Sequence, residues 1–208
     1  LVSAIALFTS AWWMRDPEVQ SRNNRSLFLL TLSTVAAIYV LLILGAIMRH
    51  TQSGLAVPDF PLAYGQLFPS LSDEAVIGYN DFQIRENLRL FADGSLRSEQ
   101  IMVHMFHRIW ALVVLVLVLW SSRKLWKSFQ LKRARLLALL LPFLTFLQIA
   151  LGAFTILSRN AIDISTAHVA GGSLVLMVSV LLTLHVARMN GIALPTAFLA
   201  FRRKEVLA

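Results

Sequence analysis

The chain has 208 residues, is 57% apolar and only 14% charged, and carries a net charge of +8. So apolar a composition excludes an ordinary water-soluble domain and points to a single all-α integral membrane domain. There is no cysteine, which excludes disulfides, iron–sulfur clusters and thiolate metal sites built from these residues.

The basic residues flank apolar segments, so the positive charge reads as a topology signal and not as a nucleic-acid surface. Residues 1–14 are apolar and end in Trp12 and Trp13. They are too short to span a bilayer and read as the end of a truncated preceding helix. A polar loop carrying Arg15, Arg22 and Arg25 follows. Residues 26–48 hold no charge, long enough to cross roughly 30 Å of hydrocarbon as a helix. Arg49 and His50 close that span.

Residues 51–98 form a long polar excursion with turn signals at Ser53-Gly54, Pro58-Asp59, Pro61, Gly65, Pro69 and Asp93-Gly94. A loop of that length without structure is uncommon unless it has a function. Within it, Phe82, Ile84, Leu88 and Phe91 have the spacing of a short amphipathic helix over 81–91. The next spans are 99–122, 136–158 and 164–187. Residues 123–135 between the second and third carry Arg123, Lys124, Lys127, Lys132, Arg133 and Arg135 with no acid. Residues 188–208 are a basic tail. The predicted fold is thus a four-transmembrane-helix bundle over 26–187, plus the end of a preceding helix.

The basic stretches 15–25, 123–135 and 188–208 are expected in the cytoplasm, and the acid-rich loop 51–98 outside. In that topology the helices carrying His107 and His168 both run inward. Each histidine lies four to eight residues into its span, so the pair differs in depth by roughly 5 Å. Ionisable side chains are costly inside a bilayer and mark function. Two imidazoles at one depth on two helices can clamp a planar macrocycle from both faces, and histidine is a common axial ligand of heme iron. His107 and His168 are therefore the predicted metal ligands. A proton relay and an interhelical hydrogen bond are the competing readings.

His104, one turn before His107, shares its helix face and reads as a group supporting the cofactor site, with a proton carrier and a propionate partner as the alternatives. Arg108 and Arg49 lie on the same outer side, where the alternatives are heme propionates or lipid phosphate and outer-loop acids. His50 reads as interfacial and His185 as structural. Gly171-Gly172 admits a flat ligand or a neighbouring helix. Gln148 and Thr145 can bond within the bundle, and Pro142 is expected to bend its span. Leu44-Gly45-Ala46 and Leu151-Gly152-Ala153 form an internal echo, each on an outward-running span followed by an inward-running one that carries a histidine.

The runs LGAIMRHTQSGLAVPDFPLAYGQLFP (44–69), VHMFHR (103–108), QIALGAFTIL (148–157) and TAHVAGG (166–172) resemble the heme A synthase family of cytochrome oxidase assembly. The resemblance covers about 26–187. It implies two similar four-helix halves, each with a ligand histidine in its second helix, inside a His-Arg pair, and another in its fourth. His107 and His168 match those positions. The loop block most resembles the carboxyl-terminal half, which in the family holds a heme b. Two departures suit that half: His104 stands where a catalytic glutamate is found in many first-half motifs, and Val57 where a loop cysteine is common.

The resemblance implies oxidation of a methyl group of heme O to the formyl group of heme A. It implies heme b iron as cofactor, heme O as substrate, a preceding four-helix half in the same protein, heme O synthase as a neighbour, and a bacterial inner (plasma) membrane. The alternatives are a bis-histidine membrane cytochrome b for electron transfer and a proton-coupled transporter.

Overall fold

The computed structural model describes residues 24–88, 95–128 and 132–190. The expected helix end over 1–14 and most of the tail 188–208 lie outside them. Five α-helices are present among the described residues: α1 Arg25–His50, α2 Asp73–Arg85, α3 Ser98–Ser128, α4 Lys132–Leu157 and α5 Ile162–Met189. Apart from α2, each is long and apolar enough to cross a membrane, within a few residues of the expected spans except at the inner end of α3. Pro142 lies inside α4.

The spanning helices close into a ring. α1 packs on α3, α3 on α4, α4 on α5, and α5 back on α1, so α3 and α5 stand diagonally opposite. At the inner end the ring is fastened by Asn24, whose N–H donates to Asn190 Oδ1 at 2.8 Å while its side chain caps α1. Further out, Thr34 and Ser121 share a hydroxyl bond of 2.8 Å, and the Trp110 indole donates to the Ala37 carbonyl at 2.9 Å. Large apolar side chains cover the outside: Leu112 and Val116 are 61% exposed and Phe143 65%. Water would penalise such a surface and lipid does not.

The inner half of the bundle is a packed core of Leu27, Ile38, Val118, Leu125, Leu141, Val178, Leu182 and Val186. At Gly172 a Cβ would lie 2.9 Å from Leu42 Cδ2 and 3.2 Å from Gln148 Nε2. Glycine there lets α5 press against both α1 and α4. The Gly171-Gly172 pair thus serves helix and side-chain approach, the second of its two expected uses.

The outer loop is a folded cap. Its helix begins eight residues earlier than the amphipathic spacing suggested. Ser72 accepts from the Ala75 N–H, and Asp73 and Glu74 sit in the first turn, where carboxylates favour the helix dipole. The helix stops at Arg85 and Asn87 takes φ +53°, so capping chemistry overrode the apolar spacing of 81–91. Asp59 closes the turn below, accepting from Tyr64 N–H at 2.7 Å and Gly65 N–H at 2.9 Å. Tyr64 stacks on Tyr79 with centroids 3.8 Å apart. Its hydroxyl donates to the Ala56 carbonyl at 2.8 Å and accepts from Gln83 Nε2 at 2.9 Å. Ala56, Val57, Ala63, Leu96 and Ile101 form a second small core under this arrangement.

Burial pushes the Tyr64 phenol above its ordinary value near 10. The folded cap favours the neutral phenol, so its contribution is complete below about pH 10 and is lost as pH rises further. Thermal unfolding in detergent should show an alkaline loss of stability that Tyr64→Phe abolishes. That variant should itself cost about 1–3 kcal/mol at neutral pH, through the partners left unpaired. Overpacking by Gly172→Val should cost about 1–3 kcal/mol in the same assay. Gly78→Ala on α2, where an added Cβ meets nothing within 4 Å, should cost nothing.

Candidate functional site

The two predicted histidines stand on the diagonal helices, α3 and α5, and each rests on a glycine of the helix beside it. A Cβ at Gly45 of α1 would lie 3.5 Å from His107 Cε1 and 4.0 Å from its Nδ1. A Cβ at Gly152 of α4 would lie 3.1 Å from His168 Cε1, with both ring nitrogens within 3.7 Å. The Leu-Gly-Ala echo therefore has a structural meaning: each copy supplies the notch for one imidazole. Gly45 is four residues inward of Arg49, about 6 Å along the helix, which puts His107 just beneath the outer boundary of the apolar span.

The imidazoles of His107 and His168 are each half-buried. Both Nδ1 atoms are buried with no hydrogen-bond partner. A buried polar atom left unpaired costs about 1–3 kcal/mol, and here two such atoms occur in matched positions. The surrounding packing changes at the same level. No residue of α1 beyond Ile38, of α3 between His104 and Val114, of α4 between Thr145 and Ile156, or of α5 before Gly172 is buried. Protein interiors are normally close-packed. In this slab the four helices are less tightly packed, with a packed core on the inner side and the cap on the outer side.

The other expected residues separate into distinct positions. His104 is 2% exposed and bonds the Ser53 carbonyl through Nδ1 at 3.0 Å. Arg108 donates through Nη2 to the carbonyls of Asp59 at 2.7 Å and Val57 at 3.2 Å, and through Nη1 to Leu62 at 2.9 Å. Three loop carbonyls thus engage the two Nη atoms of the guanidinium, while its Nε is buried without a partner. Arg49 and His50 are exposed at the end of α1. His185 is buried near the inner end and bonds back to the Leu181 carbonyl at 2.8 Å. Gln148 donates across to the His168 carbonyl, while Thr145 bonds within its own helix to Leu141 at 2.8 Å. Ser53-Gly54 and Val57 stood out in the sequence only as a turn signal and as a family departure; that the carbonyls of Ser53 and Val57 accept from His104 and Arg108 leaves no residue-type signal.

Among the described residues no three His, Cys, Asp or Glu side chains gather as a metal site. A metal held by this pair would take two ligands from the protein and the rest from its own macrocycle. Imidazoles on diagonal helices, each in a glycine notch at a level where no helix has a fully buried residue, fit a heme.

The chain also matches known proteins. The family model described as cytochrome oxidase assembly protein matches residues 1–180. A heme A synthase of Caulobacter vibrioides is 26% identical over 171 residues, covering 80% of this chain and 44% of that protein. A heme A synthase of Caulobacter sp. strain K31 is 26% identical over 180 residues, covering 83% of this chain and 48% of that protein. The chain thus spans about half the length of the curated relatives it matches. No solved structure gives a significant match. A match over so much of the chain, on a four-span bundle of this kind, means that it belongs to the cytochrome oxidase assembly protein family.

Proposed function

We propose that this chain is the heme b-binding half of a heme A synthase, the enzyme that oxidises a methyl group of heme O to the formyl group of heme A. The observation that carries the reading is the pair His107 and His168 on diagonal helices, each set against a glycine and each with an unpartnered buried Nδ1. Relatives called heme A synthase, and the half-length match to them, support the two-half architecture. The preceding four-helix half then completes the enzyme, and heme O synthase is the source of its substrate. The protein lies in a bacterial inner (plasma) membrane with loop 51–98 outside and loop 123–135 cytoplasmic, as the basic bias requires.

His107 and His168 hold the heme b iron as neutral imidazole ligands from diagonal helices. Gly45 and Gly152 let the rings lie against α1 and α4. Gln148 ties α4 to the helix turn that carries His168, and so fixes the second ligand relative to the first. Heme b held by His107 and His168 would supply a one-electron couple. Exclusion of water from the slab falls to the packed core below and the cap above. Arg49, exposed beside the site, remains the cation available to a propionate at the rim.

The test uses the complete protein purified from membranes. His107→Ala and His168→Ala should each abolish the low-spin reduced heme spectrum, while His50→Ala should leave it intact. A spectrum unchanged by both alanine variants would end the proposal. Heme A should also form in cells supplied with heme O. An intact heme spectrum without heme A formation would favour an electron-carrying cytochrome b. Gly152→Ala, which brings a methyl to 3.1 Å from His168, should lower heme occupancy more than Gly45→Ala, where the gap is 3.5 Å. Pyridine hemochrome quantitation checks that order.

A further inference from the structure

The outer end of the bundle is closed by main chain. Ser53, Leu55, Ala56 and Val57 are each 1% exposed or less, although they belong to a loop between two membrane spans. They bridge the ring: Thr51 O accepts from Gln100 Nε2 on α3 at 2.9 Å. A Cβ at Gly54 would lie 3.5 Å from Asn160, in the turn between α4 and α5. Every carbonyl of those four buried residues has a side-chain donor. Ser53 is bonded by His104 and Val57 by Arg108. Leu55 is bonded by Gln83 and Ala56 by Tyr64. Irregular backbone survives away from water only when its polar groups are satisfied by protein. His104 and Arg108, four residues apart on one face of α3, supply two of these donors beside the ligand helix position His107.

We propose that residues 53–57 are a plug that seals the aqueous side of the histidine slab, with His104 and Arg108 as its positioning residues. The packed core closes the inner side, so a lipid-soluble planar ligand reaches the pair laterally from the bilayer, between helices. The plug itself does not depend on the heme assignment, whereas the identity of what lies under it does.

This chain has no cysteine; with any cysteine elsewhere in the complete protein replaced by serine, single cysteines introduced into it can be followed in membrane vesicles. A charged, membrane-impermeant maleimide is added from the outer side. Ala56→Cys should resist labelling, and Ser70→Cys, on the exposed loop, should react readily. Adding Arg108→Gln should speed labelling at position 56 by about tenfold or more, as expected when a buried set of hydrogen bonds is lost. Arg108→Lys should do the same, because an ammonium cannot fork to three carbonyls. His104→Leu is the second route to opening if the arginine variants do not accumulate. Equal labelling at 56 and 70 in the parent overturns the plug. So does a rate at 56 that neither Arg108→Gln nor His104→Leu changes, or one that Arg108→Lys leaves slow while Arg108→Gln raises it. Where heme is present, water entry in Arg108→Gln should lower its midpoint potential. A plug that behaves as expected over a protein without heme defeats the proposed function and leaves this inference standing.

Discussion

Two imidazoles buried at one depth, each with a nitrogen that no protein group satisfies, set the constraint around which the bundle is arranged. An unsatisfied polar atom in an apolar setting has a cost of about 1–3 kcal/mol, and a bilayer offers no water to relieve it. The helices nonetheless turn both rings inward, and the packing is thinned there on all four of them. Many other polar groups of the bundle are satisfied locally, although Arg108 Nε, Ser122 Oγ and Ser165 Oγ are also buried without a partner. Thr34 bonds Ser121, Trp110 bonds Ala37, and Thr145 and Thr183 bond their own helices. The histidine pair differs from these in standing on two diagonal helices with side chains able to ligate a metal.

The division of labour along the membrane normal follows from this. The inner half is a conventional apolar core that fixes the crossing of the four helices. The middle slab gives up packing for a slot. The cap recovers order at the outer end with main-chain bonds and a tyrosine stack. Arg108 belongs to the cap more than to the slot: its cost of burial is offset by three carbonyl acceptors, and in exchange it orders a loop that contains few strand or helix bonds of its own.

The two helix pairs, α1 with α3 and α4 with α5, perform the same operation twice. In each, an outward-running helix presents a glycine and an inward-running helix presents a histidine against it. The pairs are not identical. The Gly152 notch is tighter than that of Gly45, and Gln148 braces the second pair alone. The first pair is braced through the cap, by His104 and Arg108. The long loop between α1 and α3 therefore does for His107 what one glutamine does for His168.

Much of this was legible in the sequence. Apolar runs of spanning length pointed to the four spanning helices, and His107 and His168 stood out as ionisable groups within two of them. Those features depend on composition and on the 3.6-residue period, which a bilayer enforces on each helix separately. The helix of the cap was misplaced, because Ser72 and the acids after it decide where it starts, and apolar spacing alone does not register capping. Only the tertiary structure decided that α3 and α5 are diagonal, that Gly45 and Gly152 are imidazole notches, and that Arg108 serves loop carbonyls. These facts rest on which backbone groups meet across the ring, and backbone is the same at every residue until the fold brings it to a partner.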